Sequence, residues 1–276
     1  MQSLVVLSPE ADSAPAAALA RRCGAAVRAL GLRAWRLDGG TPPADLADWC
    51  REHRVDAAFV PVERRLADLR LLAMDMDSTL ITIECIDELG ACAGRKAEIA
   101  ALTEQAMRGE IDYRESLRRR VALLEGLEEA ALDEVYDERL RLAPGAEALL
   151  AECRRRGIHT LLVSGGFSFF TERLRERLGL DDTLANVLDV DGGRLTGRIL
   201  GPIVDAAAKA ARFRQALQRL GAAKAQSMAI GDGANDLLMF AEAGVSVGYH
   251  PKPVIRSRVT HVLDFAGLDA VLHLYA

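Results

Sequence analysis

Two aspartates at alternate positions, Asp75 and Asp77, close the apolar run Leu71-Leu72-Ala73-Met74 and are followed by Ser78 and Thr79. A short apolar run of this kind reads as a strand buried on both faces of a parallel sheet. Open α/β sheets bind ligands at the carboxyl ends of their strands, which is where this strand delivers both carboxylates. Two neighbouring buried carboxylates are costly, so they need a cation or a catalytic task. For a lone D-x-D, a strand end capped by an Asx turn is the competing reading.

Three further segments supply what such a pair needs. In 157–167 an apolar strand ends in Ser164-Gly165-Gly166, a hydroxyl beside two residues that let backbone N–H groups approach an anion. Lys209 is a cation in an Ala-rich stretch that reads as a helix start; alone, it would read as a solvated helix lysine. The run Ser227-Met228-Ala229-Ile230 enters Gly231-Asp232-Gly233-Ala234-Asn235-Asp236, a strand closed by a cluster of oxygen ligands. Together the four segments form an inventory for phosphoryl transfer through an aspartyl phosphate. One carboxylate is nucleophile, a second is general acid and base, and hard oxygens hold magnesium. A lysine and a hydroxyl orient the phosphoryl oxygens.

These segments resemble the four motifs of the haloacid dehalogenase-like phosphohydrolase superfamily. Residues 75–79, 83–88, 106–110, 116–121, 164–167 and 231–236 resemble the phosphoserine phosphatase family within it. The resemblance covers roughly residues 70 to 265 and leaves the first 65 or so outside it. It implies a Rossmann-like parallel-sheet α/β core with an inserted helical cap. It implies Asp75 as nucleophile and Asp77 as acid and base. Asp75, the main-chain carbonyl of Asp77, and Asp232 would hold Mg2+, with Asp236 supporting them. Ser164, Gly165, Lys209 and Asn235 would bind phosphate. Glu84 would face the ammonium of phosphoserine and Arg120 its carboxylate. Met107 and Tyr113 match cap positions that close over the substrate; the family often has Phe in place of Tyr113.

The alternatives left open are a phosphatase or phosphotransferase for another small phosphomonoester, and a regulatory protein that binds phosphate without turnover. Asp189-Val190-Asp191-Gly192-Gly193 is a second D-x-D, but Asp-Gly-Gly signals a hairpin turn.

The elements that must position these groups fall into three stretches. Residues 1–67 read as a small α/β unit, regulatory or dimerising: strand 4–7, an Ala/Arg-rich helix 16–30, strand 32–37, a helix near 45–53 and strand 57–60. Residues 68–276 read as the phosphatase domain. Within it, about 86–143 is rich in Glu, Arg, Leu and Ala and reads as a helical cap inserted after the first strand. Pro144-Gly145 returns the chain to the core. Strands near 160–163, 228–230 and 245–247 then alternate with helices, as βαβ units do.

The 276 residues can bury a sizeable core, and half of them are hydrophobic. A net charge of −5 argues against a nucleic-acid partner. No apolar stretch approaches the ~20 residues needed to span a membrane. The N-terminus lacks a signal pattern, so a cytoplasmic enzyme, a homodimer in one reading, is expected. The five histidines show no zinc-type spacing, and the five cysteines form no C-x-x-C and read as free thiols.

Overall fold

The structure, a computed structural model, describes residues 2–275. The chain opens with β1 (Gln2–Leu7), α1 (Ala14–Cys23), β2 (Ala26–Gly31), β3 (Ala34–Asp38), α2 (Leu46–His53) and β4 (Asp56–Pro61). These strands form one antiparallel sheet in the order β2-β3-β1-β4. The helix expected over 16–30 therefore stops halfway. Gly24 takes a left-handed φ of 68° and closes α1, accepting the usual glycine role at a helix end. The remaining Ala26–Gly31 pairs with β3, so sheet contacts override the helix propensity of Ala, Arg and Leu.

Period-2 patterning gives this small sheet two apolar faces. Leu4, Val6, Trp35 and Leu37 pack under α1 and α2. Val5, Leu7, Ala34, Ala58 and Val60 face the other way, into the same core as Leu268, Val271, Leu274 and Tyr275 at the far end of the chain. The seam is also polar. The buried Asp56 carboxylate accepts backbone N–H groups from Asp264, Phe265 and Ala266 at 2.8, 3.1 and 2.8 Å.

The second sheet holds β5 (Leu71–Met74), β6 (His159–Phe167), β7 (Asp182–Asp191), β8 (Arg194–Leu200), β9 (Ser227–Gly231), β10 (Val245–Tyr249) and β11 (His261–Leu263). Its order is β11-β10-β9-β5-β6-β7-β8, parallel throughout except for the β7–β8 hairpin. That hairpin turns at Gly192 and Gly193, both at positive φ, as Asp-Gly-Gly predicts. From β5 the chain builds outward through β6 and β7, then returns to add β9, β10 and β11 on the other side. The order therefore reverses between β5 and β9, and a crevice opens at their carboxyl ends.

Between β5 and β6 run α3 (Cys85–Cys92), α4 (Lys96–Met107), α5 (Tyr113–Ala122), α6 (Ala130–Glu134) and α7 (Ala146–Arg156). The first four form the helical cap, and α7 returns to the sheet. The segments entering and leaving the cap meet in a single antiparallel bridge between Ile81 and Leu142: Thr82 N–H donates to Arg141 O, and Ala143 N–H to Leu80 O, both at 2.9 Å. Helices α8 (Ser168–Leu178), α9 (Ala206–Leu220) and α10 (Leu237–Glu242) complete the crossovers. No helix among the described residues is long and apolar enough to cross a membrane.

Candidate active site

The site lies at the reversal point because β5 and β9 are neighbours whose next residues are acidic. Asp75 follows β5 and Asp232 follows β9. After Asp75 the chain makes one wide turn over Met76–Leu80, with Ser78 in the left-handed region at φ 54°. Non-glycine residues rarely adopt that conformation, which costs on the order of 1–3 kcal/mol. The turn brings Asp77 back beside the sheet, where its Oδ1 accepts the Cys85 N–H at 3.1 Å.

Asp75 is only 3 % exposed. Its Oδ1 accepts the Met76 N–H at 2.7 Å. Its Oδ2 receives the Lys209 ammonium at 2.7 Å and the Asn235 amide at 2.9 Å. Lys209 also donates to Asp236 Oδ1 at 2.9 Å. The lysine is no solvated helix residue: it is 1 % exposed, in the first turn of α9. Burial alone would lower its pKa, but Asp236 and Asp75 more than offset that and raise it.

The acids around Asp75 are held toward their protonated forms. Burial, then the charges of Glu84 and Asp75, raise Asp77 well above the usual carboxylate range. Burial raises Asp236 to about 7, helped by Asp75 and opposed by Lys209. Asp232 is raised chiefly by burial, against the ammonium of Lys252 2.8 Å away. Glu84 is raised by burial although Ser78 Oγ donates to it at 2.8 Å.

Carboxylate oxygens of Asp75, Asp232 and Asp236 lie within 4.8 Å of one another, and all three residues are buried. A cluster of hard oxygens this dense fits a small divalent cation of the magnesium or calcium kind. The side chain of Asp77 is outside the cluster.

The phosphate side of the crevice is built from β6. This strand does not stop at Val163 but continues to Phe167. Ser164 is fully buried, and its Oγ accepts the Gly166 N–H at 2.8 Å, which leaves its own proton free to donate. Both glycines are needed. A Cβ on Gly166 would lie 2.7 Å from Asp77 Oδ2, and one on Gly165 would lie 2.3 Å from the Tyr113 hydroxyl.

The cap reaches this wall through the start of α5. Tyr113 donates to Gly165 O at 3.2 Å. Arg114 donates to Asp205 Oδ2 through Nε at 2.8 Å and Nη2 at 2.5 Å; Asp205 also caps α9 by accepting the Ala208 N–H. Burial pushes the Tyr113 hydroxyl up to about 12, so it stays a donor. Arg120 lies close enough to influence Tyr113, and its buried Nε finds no hydrogen-bond partner among the described residues.

Eleven of the expected residues therefore converge: Asp75, Asp77, Glu84, Tyr113, Arg120, Ser164, Gly165, Lys209, Asp232, Asn235 and Asp236. Met107 does not join them. It ends α4 and is 77 % exposed. The buried anchor of α4 is Ile99, and eight residues further on the helix has turned Met107 roughly 80° away. Sequence reasoning missed Lys252 and Asn186. The first follows His250-Pro251 in a loop; the second is one of several polar residues in β7, beside Asp182, Thr183, Asp189 and Asp191, and only its burial sets it apart.

The family model of haloacid dehalogenase-like hydrolases matches residues 72–241. The chain belongs to that family. A phosphoserine phosphatase of Polaromonas sp. strain JS666 is 53 % identical over 215 residues, which cover 76 % of this chain and 91 % of that protein. A phosphoserine phosphatase of Albidiferax ferrireducens is 50 % identical with the same coverages. The unliganded structure of a probable phosphoserine phosphatase from Vibrio cholerae superposes with a TM-score of 0.87 at 34 % identity, covering 99 % of this chain and 86 % of that one. A substrate-bound phosphoserine phosphatase complex gives 0.71 at 33 % identity, over 75 % of this chain and 99 % of that one.

Proposed function

We propose that the protein is a magnesium-dependent phosphoserine phosphatase, releasing serine and phosphate through an aspartyl phosphate on Asp75. The observation that carries the reading is the opposition of two carboxyl groups at one strand end. Asp75 presents an oxygen to Lys209 and Asn235, while Asp77 is set to hold a proton.

Asp75 attacks phosphorus, and the bond from phosphorus to the serine oxygen breaks. Asp77 gives its proton to that oxygen, then removes one from the water that cleaves the acyl phosphate, returning Asp75 unchanged. Lys209, the Ser164 hydroxyl, Asn235 and the N–H groups around Gly165 and Gly166 hold the phosphoryl oxygens. Asp75, Asp232 and the main-chain carbonyl of Asp77 would hold Mg2+, with Asp236 behind them. When bound, the cation offsets the charge of phosphate and of the clustered carboxylates.

Glu84 receives the substrate ammonium and Arg120 its carboxylate, the planar guanidinium being suited to two parallel hydrogen bonds. Tyr113 closes the cap over the phosphate wall, keeping bulk water from the intermediate until serine has left. The reading places the chain in the cytoplasm, at a serine-forming step of amino-acid biosynthesis. Phosphate release from a panel of esters tests it. Phosphoserine should exceed phosphothreonine and p-nitrophenyl phosphate in kcat/KM, with activity lost to a chelator and restored by magnesium. Preference for the aryl ester, or full activity after exhaustive chelation, would overturn it.

A further inference from the structure

Strand β6 departs from its ladder with β7 where the phosphate wall begins. Val163 stands opposite Leu184 and Phe167 opposite Asn186, so residues 164–166 face only residue 185. Two residues too many bulge from the ladder, and the Gly165 and Gly166 carbonyls lose regular partners. Buried carbonyls left unmatched are costly. Asn186, 1 % exposed, supplies what the ladder withdraws. Its Nδ2 donates to Gly165 O at 2.8 Å and to Gly166 O at 3.3 Å. Its Oδ1 accepts the Val204 N–H at 2.8 Å, in the segment leading to α9 and Lys209. Two acceptors on one side and a donor on the other fix which way the amide faces.

We infer that Asn186 is the positioning residue of the phosphate wall. One planar amide sets the carbonyls of Gly165 and Gly166 and, through Val204, the approach of the lysine helix. A peptide unit is planar, so fixing each carbonyl fixes the N–H on its far side. With the Gly166 N–H on Ser164 Oγ, the serine proton is left for the phosphoryl group. Asn186 itself touches no substrate. The inference rests on the proposed phosphatase reading, but it concerns the phosphate alone and not the amino acid attached to it.

The test is calorimetric binding of orthophosphate, with magnesium present, to Asn186→Ala and Asn186→Asp. Asn186→Asp keeps an acceptor for Val204 but turns an oxygen toward the two carbonyls. Both variants should lose about tenfold or more in phosphate affinity. Asn186→Asp should also lower kcat/KM by a similar factor for phosphoserine and for p-nitrophenyl phosphate. A lower melting temperature with unchanged phosphate affinity would reduce Asn186 to a structural residue and overturn the inference. Wild-type protein that binds orthophosphate but ignores phosphoserine would sink the substrate reading and leave this one standing. Should both variants fail to fold, amide exchange on the wild type decides. Orthophosphate must slow exchange at Gly166, whose N–H lies across the peptide plane from the carbonyl that Asn186 holds, and Val204 must be protected although it lies outside any helix or strand. Failure of either overturns the inference.

Discussion

Replacing Lys209 with Met tests how the site balances charge. The change keeps the apolar stem and removes an ammonium that bridges Asp75 and Asp236 at 2.7 and 2.9 Å. Breaking a buried pair by deleting one partner typically costs about 3–5 kcal/mol. Here the loss depends on pH. Asp236 has a folded-state pKa of about 7 against an ordinary 3.8, so the folded chain binds an extra proton between those values. In that window stability falls as pH rises, and in the wild type the fall ends near pH 7. Without Lys209 the Asp236 value rises further, because the cation that lowered it is gone. The variant therefore keeps losing stability above pH 7 where the wild type does not. One proton is worth about 1.4 kcal/mol per pH unit, so the gap between the two should widen by up to roughly 2 kcal/mol from pH 7 to 8.5. Urea unfolding in a chelator at pH 6, 7 and 8.5 measures this. The same variant should lose about 10² to 10³ in kcat/KM, as removal of one preorganised donor does. A stability gap that stays flat with pH, or near-wild-type turnover, would refute the reasoning.

Arg120→Ala should cost on the order of a hundredfold in kcat/KM for phosphoserine, from a few kcal/mol of unpaired carboxylate, and little for p-nitrophenyl phosphate. Glu84→Gln should behave the same way; equal losses on both esters would show that these residues hold the cap instead. A chain beginning at residue 68 loses the wall over Leu268, Val271, Leu274 and Tyr275 and the carboxylate of Asp56. Burial of each such side chain is worth about 1.5–3 kcal/mol, so its urea midpoint should drop markedly while the folded fraction still releases phosphate; an unchanged midpoint would contradict the shared core. Burial and Arg64 lower His261 to about 4, with Arg64 Nη1 3.3 Å from its Nε2, and arginine only donates, so Nε2 is unprotonated. Its folded pKa is below the unfolded value, so it contributes stability above about pH 6.5 that is lost as pH falls toward 4, about 3 kcal/mol in all. His261→Gln should flatten the acid limb of the stability profile relative to wild type, and an identical acid limb would exclude this role.

The chemistry was legible in the sequence because it sits where apolar strands stop. Asp75 and Asp232 each follow a buried strand, and the parallel order of those strands makes them neighbours. Local patterns said less about burial. Lys209 sits in an Ala-rich helix start, where only the packing of α9 against the sheet reveals that it is enclosed. Asn186 and Lys252 act through partners distant in the chain, so no short motif encloses them. Residues 26–30 carry helix-favouring side chains yet form an edge strand, because β3 offers a ladder that propensity cannot anticipate. The unit 1–67 reads as separate by composition, but its sheet has apolar residues on both faces, and the second face belongs to the phosphatase core. Met107 fails for a simpler reason: helical phase, not proximity in sequence, decides which α4 residues face inward.

The central claim is a phosphoryl group carried by Asp75. Quenching the enzyme in acid during turnover of phosphoserine, then reducing with borohydride, converts an aspartyl phosphate to homoserine. Peptide mass spectrometry should find homoserine at position 75 and nowhere else, and hydroxylamine treatment before reduction should abolish it. Asp75→Asn should give neither homoserine nor phosphate release. Phosphate found instead on Ser78 or Ser164, stable to acid and hydroxylamine, or turnover surviving in Asp75→Asn, would contradict the account.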